Sequence, residues 1–317
     1  MNEYVFVKDI AEKLTSNIHE VIVGMEEVIR SLLIGLLVEG HILVEGAPGT
    51  AKTYLAKVFS NSLGLEFKRI QFTADLMPSD ITGSIIYNRV TGALEFRRGP
   101  IFANVVLADE INRASPRSQS ALLECMQEKQ VTVDGVAYPL PRPFLIIATQ
   151  NPIELEGTYP LPEAELDRFL IRTFVDYLDP SSELKILEKK QLYGEQVEIE
   201  KVADLEDVLK AIELTRKVYV DKSVLEYIVK LGQQTRKREE ILLGVSPRGQ
   251  ISLLYASKAA AALEGKPYVT PDHVKSVVNL VFNHRLLLRS RSSNPITLRR
   301  ETINLLKEIV EEVEPPR

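Results

Sequence analysis

The sequence predicts an α/β fold: a parallel sheet covered by helices on both faces, carrying two inserted β-hairpins and followed by a small all-helical domain. Three observations predict it. Up to about residue 176, short apolar runs of strand length alternate with helical stretches, and runs apolar on both faces suit parallel strands buried between helices. Two hairpin signals, Thr91-Gly92 and Asp134-Gly135, interrupt that alternation. Beyond about residue 178 the strand-like runs nearly vanish and helical apolar spacing takes over.

The strands are expected at residues 41–45, 66–71, 104–108, 144–148 and 171–175. Between them, residues 53–62 read as a helix closed by Gly64, and residues 116–128 as another, with Ser115 as N-cap and Pro116 at the first helical position. The hairpins span residues 85–96 and 131–140, each ahead of a core strand. In the second half, helical spacing recurs near 181–193, 204–217, 222–238, 247–264, 271–283 and 297–313, with Ser246-Pro247 and Thr270-Pro271 as helix starts. The expected division is residues 1–177 and 178–317.

Composition bounds the function. The chain has 317 residues, 45% hydrophobic and 26% charged, enough for about two domains with real cores. No apolar run reaches the about 18 residues a membrane span needs, and the N-terminus lacks a secretory layout, so a cytoplasmic protein is expected. The single Cys125, among Leu122, Leu123 and Met126, reads as a small core residue. A net charge of −5 disfavours constitutive, sequence-independent binding to duplex nucleic acid. The mildly basic stretch from Arg69 to Arg98 reads as a solvated face.

Gly46-Ala47-Pro48-Gly49-Thr50-Ala51-Lys52-Thr53 links the first strand to the first core helix. Glycines let backbone N–H groups curl around a phosphate, and the helix adds its positive end. Lys52 supplies a point charge for the β- and γ-phosphates of ATP, and the Thr53 hydroxyl is a ligand for Mg²⁺. Ala51 stands where a glycine is usual. A right-handed helical conformation is expected there, which alanine tolerates. Upstream, Val23 and Gly24 are candidates to line an adenine pocket.

The run Val105-Val106-Leu107-Ala108-Asp109-Glu110 is an apolar strand ending in two acids. A buried strand would deliver Asp109 to the sheet's carboxyl edge, where open α/β sheets bind ligands, to hold Mg²⁺ through its water shell. Glu110 would orient or deprotonate the attacking water. The strand at 66–71, placed between the two, favours ATPases with a catalytic acid over kinases and GTPases, and no Asn-Lys-x-Asp element for guanine occurs.

Three more residues complete the candidate site. Asn151 ends the strand at 144–148 and could place the water, although Asn-Pro also starts turns. Arg168, in Leu166-Asp167-Arg168-Phe169, could reach a neighbouring subunit's γ-phosphate; the plain alternative is an ion pair with Asp167 or Glu165. Arg248, in the first turn of a helix, opposes the helix dipole, which an anion nearby would explain; the plain alternative is pairing with Glu239 or Glu240.

With these in order, the sequence resembles the MoxR family of AAA+ ATPases, relatives of the magnesium-chelatase ATPase subunit. Besides the motifs above, the resemblance is carried by Gly99-Pro100-Ile101-Phe102-Ala103-Asn104, Ile111-Asn112-Arg113-Ala114, Gln119-Ser120-Ala121-Leu122-Leu123-Glu124, Ala148-Thr149-Gln150-Asn151-Pro152, Glu156-Gly157-Thr158-Tyr159-Pro160-Leu161-Pro162-Glu163-Ala164 and Ser246-Pro247-Arg248. It runs from about Ile18 to Leu286 and is looser in the helical half. It implies a helical lid and a ring, expected to be a hexamer, with ATP between subunits. It also implies a chaperone-like role in maturing a protein complex, often with a von Willebrand A domain partner. A nucleic-acid motor or loader and a nucleotide-gated scaffold stay open as alternatives.

Overall fold

The structure, a computed structural model, describes residues 3–47, 49–152, 157–176, 179–193, 199–290, 292 and 294–316. Two helices, α1 (Tyr4–Val21) and α2 (Glu26–Leu37), precede the sheet. Then come β1 (Ile42–Gly46), α3 (Lys52–Ser62), β2 (Phe67–Gln71) and the short α4 (Pro78–Thr82). The hairpin β3 (Gly83–Asn88)–β4 (Ala93–Arg98) leads to β5 (Val105–Asp109) and α5 (Pro116–Glu128). The hairpin β6 (Gln130–Val133)–β7 (Val136–Pro139) leads to β8 (Leu145–Gln150), α6 (Glu163–Leu166) and β9 (Ile171–Val175).

The C-terminal half is helical. It comprises α7 (Pro180–Tyr193), α8 (Leu205–Lys217), α9 (Lys222–Lys237), α10 (Pro247–Leu263), α11 (Pro271–Phe282) and α12 (Pro295–Glu312). One short antiparallel pair, β10 (Ile241–Leu243) with β11 (Leu287–Leu288), adds to the helices expected there. Helices α8, α9, α10 and α12 each start on a bonded N-cap: Asp204 accepts the Asp207 N–H, Asp221 the Ser223 N–H, Ser246 the Gly249 N–H and Asn294 the Ile296 N–H.

The five expected core strands form one parallel sheet in the order β2-β5-β8-β1-β9. Alternation along the strands sends successive residues to opposite faces. Leu43, Val106, Ile146 and Ala148 pack with α5 residues Leu122, Leu123 and Met126. Ile42, Val44, Leu107 and Ile147 join the larger core on the opposite face. That core also takes in α1, α2, α3 and helices α8 to α12, so the helical half and the sheet share one apolar interior. Along α1, Val7, Ala11, Leu14 and Ile18 recur at helical spacing and are buried. The expected boundary at residues 177 and 178 lies outside the described residues.

Both hairpins form as expected, and they touch: the rings of Phe96 and Tyr138 stack with centroids 4.2 Å apart. Cys125 is buried on α5, and burial pushes its thiol pKa up to about 12, which suits an inert core residue. Among the described residues, no helix is long and apolar enough to cross a membrane.

Candidate functional site

At the carboxyl edge of the sheet the chain leaves β1 at Gly46 and re-enters a helix at Lys52. Strand β9 presses close here: a Cβ on Gly46 would lie 2.7 Å from the Val175 carbonyl oxygen. Gly49 adopts φ +78°, a left-handed conformation that glycine takes without strain. Ala51 departs from expectation. It has φ 56° and ψ 18°, left-handed rather than right-handed helical, because the backbone must swing sharply to start α3. Its methyl group therefore carries a cost that the usual glycine avoids. Pro48 lies outside the described residues.

The Lys52 ammonium is held across the loop. It donates to the carbonyl oxygens of Gly46 (3.0 Å) and Ala47 (2.7 Å) and to Thr50 Oγ1 (3.1 Å). Burial lowers its pKa from the ordinary lysine value, and the charges of Asp109 and Glu110 oppose that drop. The neighbouring Thr53 hydroxyl lies 3.3 Å from Asp109 Oδ2.

Asp109 ends β5, between β2 and β8, and both flanking strands supply partners to it. Its Oδ1 accepts the Thr149 hydroxyl at 2.5 Å. Its Oδ2 accepts Arg69 Nη2 at 2.7 Å and Nε at 3.0 Å. Glu110 turns left-handed (φ 57°), its N–H donating to Thr149 Oγ1 at 2.9 Å. Its Oε2 accepts Gln71 Nε2 at 3.0 Å and Arg113 Nη1 at 3.1 Å. Behind the loop, the buried Glu45 accepts Arg172 Nη2 at 2.8 Å and the Gln150 amide, which ties the ends of β9 and β8 to β1.

These groups surround a cavity of about 450 Å³ lined by Gly46, Lys52, Thr53, Asp109, Glu110 and Asn151. Gly49, Thr50, Ala51, Arg69, Gln71, Thr149 and Gln150 also border it. The donor set suits a hard divalent cation: the oxygens of Thr53 and Asp109 stand 3.3 Å apart, near the roughly 3 Å edge of a magnesium octahedron. Among the described residues no group of three or more His, Cys, Asp or Glu could hold a metal. The arrangement therefore fits an ion carried in with phosphate oxygens better than a protein-only cage. Amides, an ammonium, hard oxygens and a carboxylate converging on one cleft can grip a triphosphate and orient water beside it.

Four candidate residues do not join this cavity. Val23 and Gly24 line a separate one of about 430 Å³, with His19, Glu26 and the α7 residues Lys185, Glu188 and Lys189. Arg168, between α6 and β9, and the exposed Arg248 in the first turn of α10 are both outside the phosphate-cavity lining. Neither forms the ion pair that was its plain alternative reading among the described residues, and Asp167 pairs with Arg285, Arg285 Nε to Asp167 Oδ1, at 2.7 Å. Conversely, Arg69, Gln71 and Thr149 enter the site without having been singled out. Arg69 and Gln71 sit two apart on an edge strand, so they share a face; that period was the available signal.

Comparison with known proteins gives consistent results. Residues 41–171 match the profile of the ATPase family associated with various cellular activities (AAA), and residues 233–304 that of the AAA lid domain. The protein YeaC of Bacillus subtilis is 46% identical over 87% of this chain and 86% of its own. Chaperone MoxR1 of Mycobacterium tuberculosis is 40% identical over 87% of this chain and 75% of its own. A crystal structure from Cytophaga hutchinsonii superposes with a TM-score of 0.89 at 38% identity, covering 99% of this chain and 97% of that one.

Proposed function

Because the chain belongs to the MoxR family of AAA+ ATPases, we propose that it is a magnesium-dependent ATP hydrolase that works as a ring, with each nucleotide shared between two subunits. One observation carries this reading. Lys52, Thr53, Asp109, Glu110 and Asn151 meet at one cavity, while Arg168 stands outside it with no ion pair among the described residues. A guanidinium left in that state is suited to a phosphate supplied from another copy of the chain.

In this reading the amides of residues 46–51 and Lys52 bind the β- and γ-phosphates. Thr53 and Asp109 hold Mg²⁺, which when bound neutralises the charge on the phosphate oxygens. Glu110 takes the proton of the attacking water, and Asn151 fixes that water in line. Gln71 and Arg113 aim the Glu110 carboxylate, and Thr149 sets the backbone at Glu110 and the rotamer of Asp109. Arg248 reads the state of the subunit's own nucleotide from the lid, and Val23 and Gly24 border the base.

The work done with this cycle is taken to be chaperone-like remodelling of a protein complex in the cytoplasm, in a hexamer that can engage a von Willebrand A domain partner. The relative named as a chaperone supports it. The test is Arg168→Ala: ATP·Mg²⁺ binding should survive while turnover falls by about 10³-fold. Wild-type turnover per subunit should also fall on dilution. Constant specific turnover down to the monomer would sink the shared site.

A further inference from the structure

Arg285, just after α11, is buried, its side chain 2% exposed. Its Nε donates to Asp167 Oδ1 at 2.7 Å. Its terminal nitrogens donate to the main-chain carbonyls of Asp167 (3.1 Å), Phe169 and Leu170 (3.2 Å), three oxygens that bracket Arg168. The adjacent buried His284 also reaches the Phe169 carbonyl, through Nε2 at 3.0 Å. The stretch carrying Arg168 is thus held from the lid.

The same guanidinium touches the start of α10. Its Nη2 donates to Ser252 Oγ at 3.2 Å, and a Cβ on Gly249 would lie 2.7 Å from Arg285 Cδ. Gly249 follows Arg248, and the N-cap Ser246 reaches Asp167 Oδ2 at 3.4 Å. Burial pulls the Arg285 pKa down to about 10, with Asp167 opposing the drop, so the side chain stays charged near neutral pH. Stability alone does not call for such a group. A buried ion pair is often no better than well-packed apolar residues of similar volume. What the pair does supply is a fixed geometry between two segments, each of which carries a candidate phosphate-sensing arginine.

We propose that Arg285, anchored on Asp167, is a positioning residue that locks the Arg168 segment and the Arg248 turn into one rigid unit. A lid shift at a subunit's own nucleotide then moves the finger that subunit offers its neighbour. The inference rests on the shared-site reading above and adds to it the physical link between the two sites.

A mixing experiment tests it. Glu110→Gln subunits hold ATP without hydrolysing it and keep an intact finger, and Arg168→Ala subunits have a working site but no finger. Mixed, the two should recover ATP turnover that neither shows alone. No recovery would overturn the shared-site reading and this inference together. With recovery in hand, the finger donor is replaced by Glu110→Gln/Arg285→Lys. Its own site is already dead, so only finger delivery is read. Recovered turnover should drop by at least about tenfold, since a misplacement near 1 Å costs up to about 10²-fold. A folded donor that enters the ring and restores full turnover would overturn the proposal. So would a folded donor that fails to enter the ring, because the defect would then be one of assembly. If Arg285→Lys does not fold, Asp167→Asn replaces it in the donor, because Asp167 is the more exposed partner at 22%. In an otherwise wild-type chain, Arg285→Lys should also weaken ATP·Mg²⁺ binding by about threefold or more, through Arg248. Unchanged affinity would overturn the coupling of the two segments.

Discussion

The Thr149 hydroxyl donates to Asp109 Oδ1 at 2.5 Å and, with its remaining lone pairs, accepts the Glu110 N–H at 2.9 Å. One side chain on β8 thereby fixes both acids at the end of β5. Thr149→Val keeps the shape and removes the oxygen. It leaves a buried carboxylate oxygen and a backbone N–H without that partner, at a cost of about 1–3 kcal/mol. Turnover is expected to fall at least about tenfold, because Glu110 loses its aim. Thr149→Ser should retain most of both. Urea unfolding and steady-state turnover of the two variants check this, and equal behaviour would contradict the role of the hydroxyl.

Ala51 holds a left-handed backbone at φ 56°. For an alanine this costs about 1–2 kcal/mol, part of which glycine would return through its freer unfolded chain. Ala51→Gly is therefore expected to stabilise the fold by about 0.5–1 kcal/mol, raising the melting temperature by about 1–2 °C. A lower melting temperature would contradict the strain.

His41 is buried at the start of β1. Its Nδ1 accepts the Ile146 N–H at 3.0 Å, and its Nε2 meets the Met126 carbonyl at 3.1 Å. Burial lowers its pKa from 6.5 to about 4, so the folded ring is neutral where the unfolded one takes up a proton. Its contribution is complete above pH 6.5, declines as pH falls from 6.5 through 4, and levels off below. Over that window it amounts to about 3 kcal/mol. His284 is shifted in the same direction by burial. His41→Gln should show a pH slope shallower than wild type by one proton between pH 6.5 and 4. Urea unfolding at stepped pH measures the difference, and parallel curves would contradict a neutral His41.

What the sequence made legible was whatever lies within one segment. Lys52 and Thr53 follow their loop directly, and Asp109 and Glu110 end an apolar run, so their grouping needs only a strand's direction. Arg69, Gln71 and Thr149 reach the site because β2 and β8 flank β5, and strand order is a tertiary fact. Read along the chain alone, Arg69 passed for a solvated face. The apolar spacing of α1 was visible in principle, but its burial against α8 and α10 depends on where the lid lands. Ala51 misled for a related reason: the residue type suits a helix, and the turn geometry overrides it. Arg168 and Arg248 were legible as unusual arginines, whereas the guanidinium that binds their segments together lies more than a hundred residues beyond the first of them.

The central claim is that the cavity around Lys52 holds ATP with magnesium. Calorimetric titration of ATP·Mg²⁺ into wild type, Lys52→Ala and Glu110→Gln tests it most directly. Saturable binding by wild type and Glu110→Gln, with Lys52→Ala weakened by at least about a hundredfold, is the predicted result; the loss reflects removal of a charged contact worth about 3 kcal/mol. Equal affinity in wild type and a folded Lys52→Ala, or no binding by either, would contradict the account.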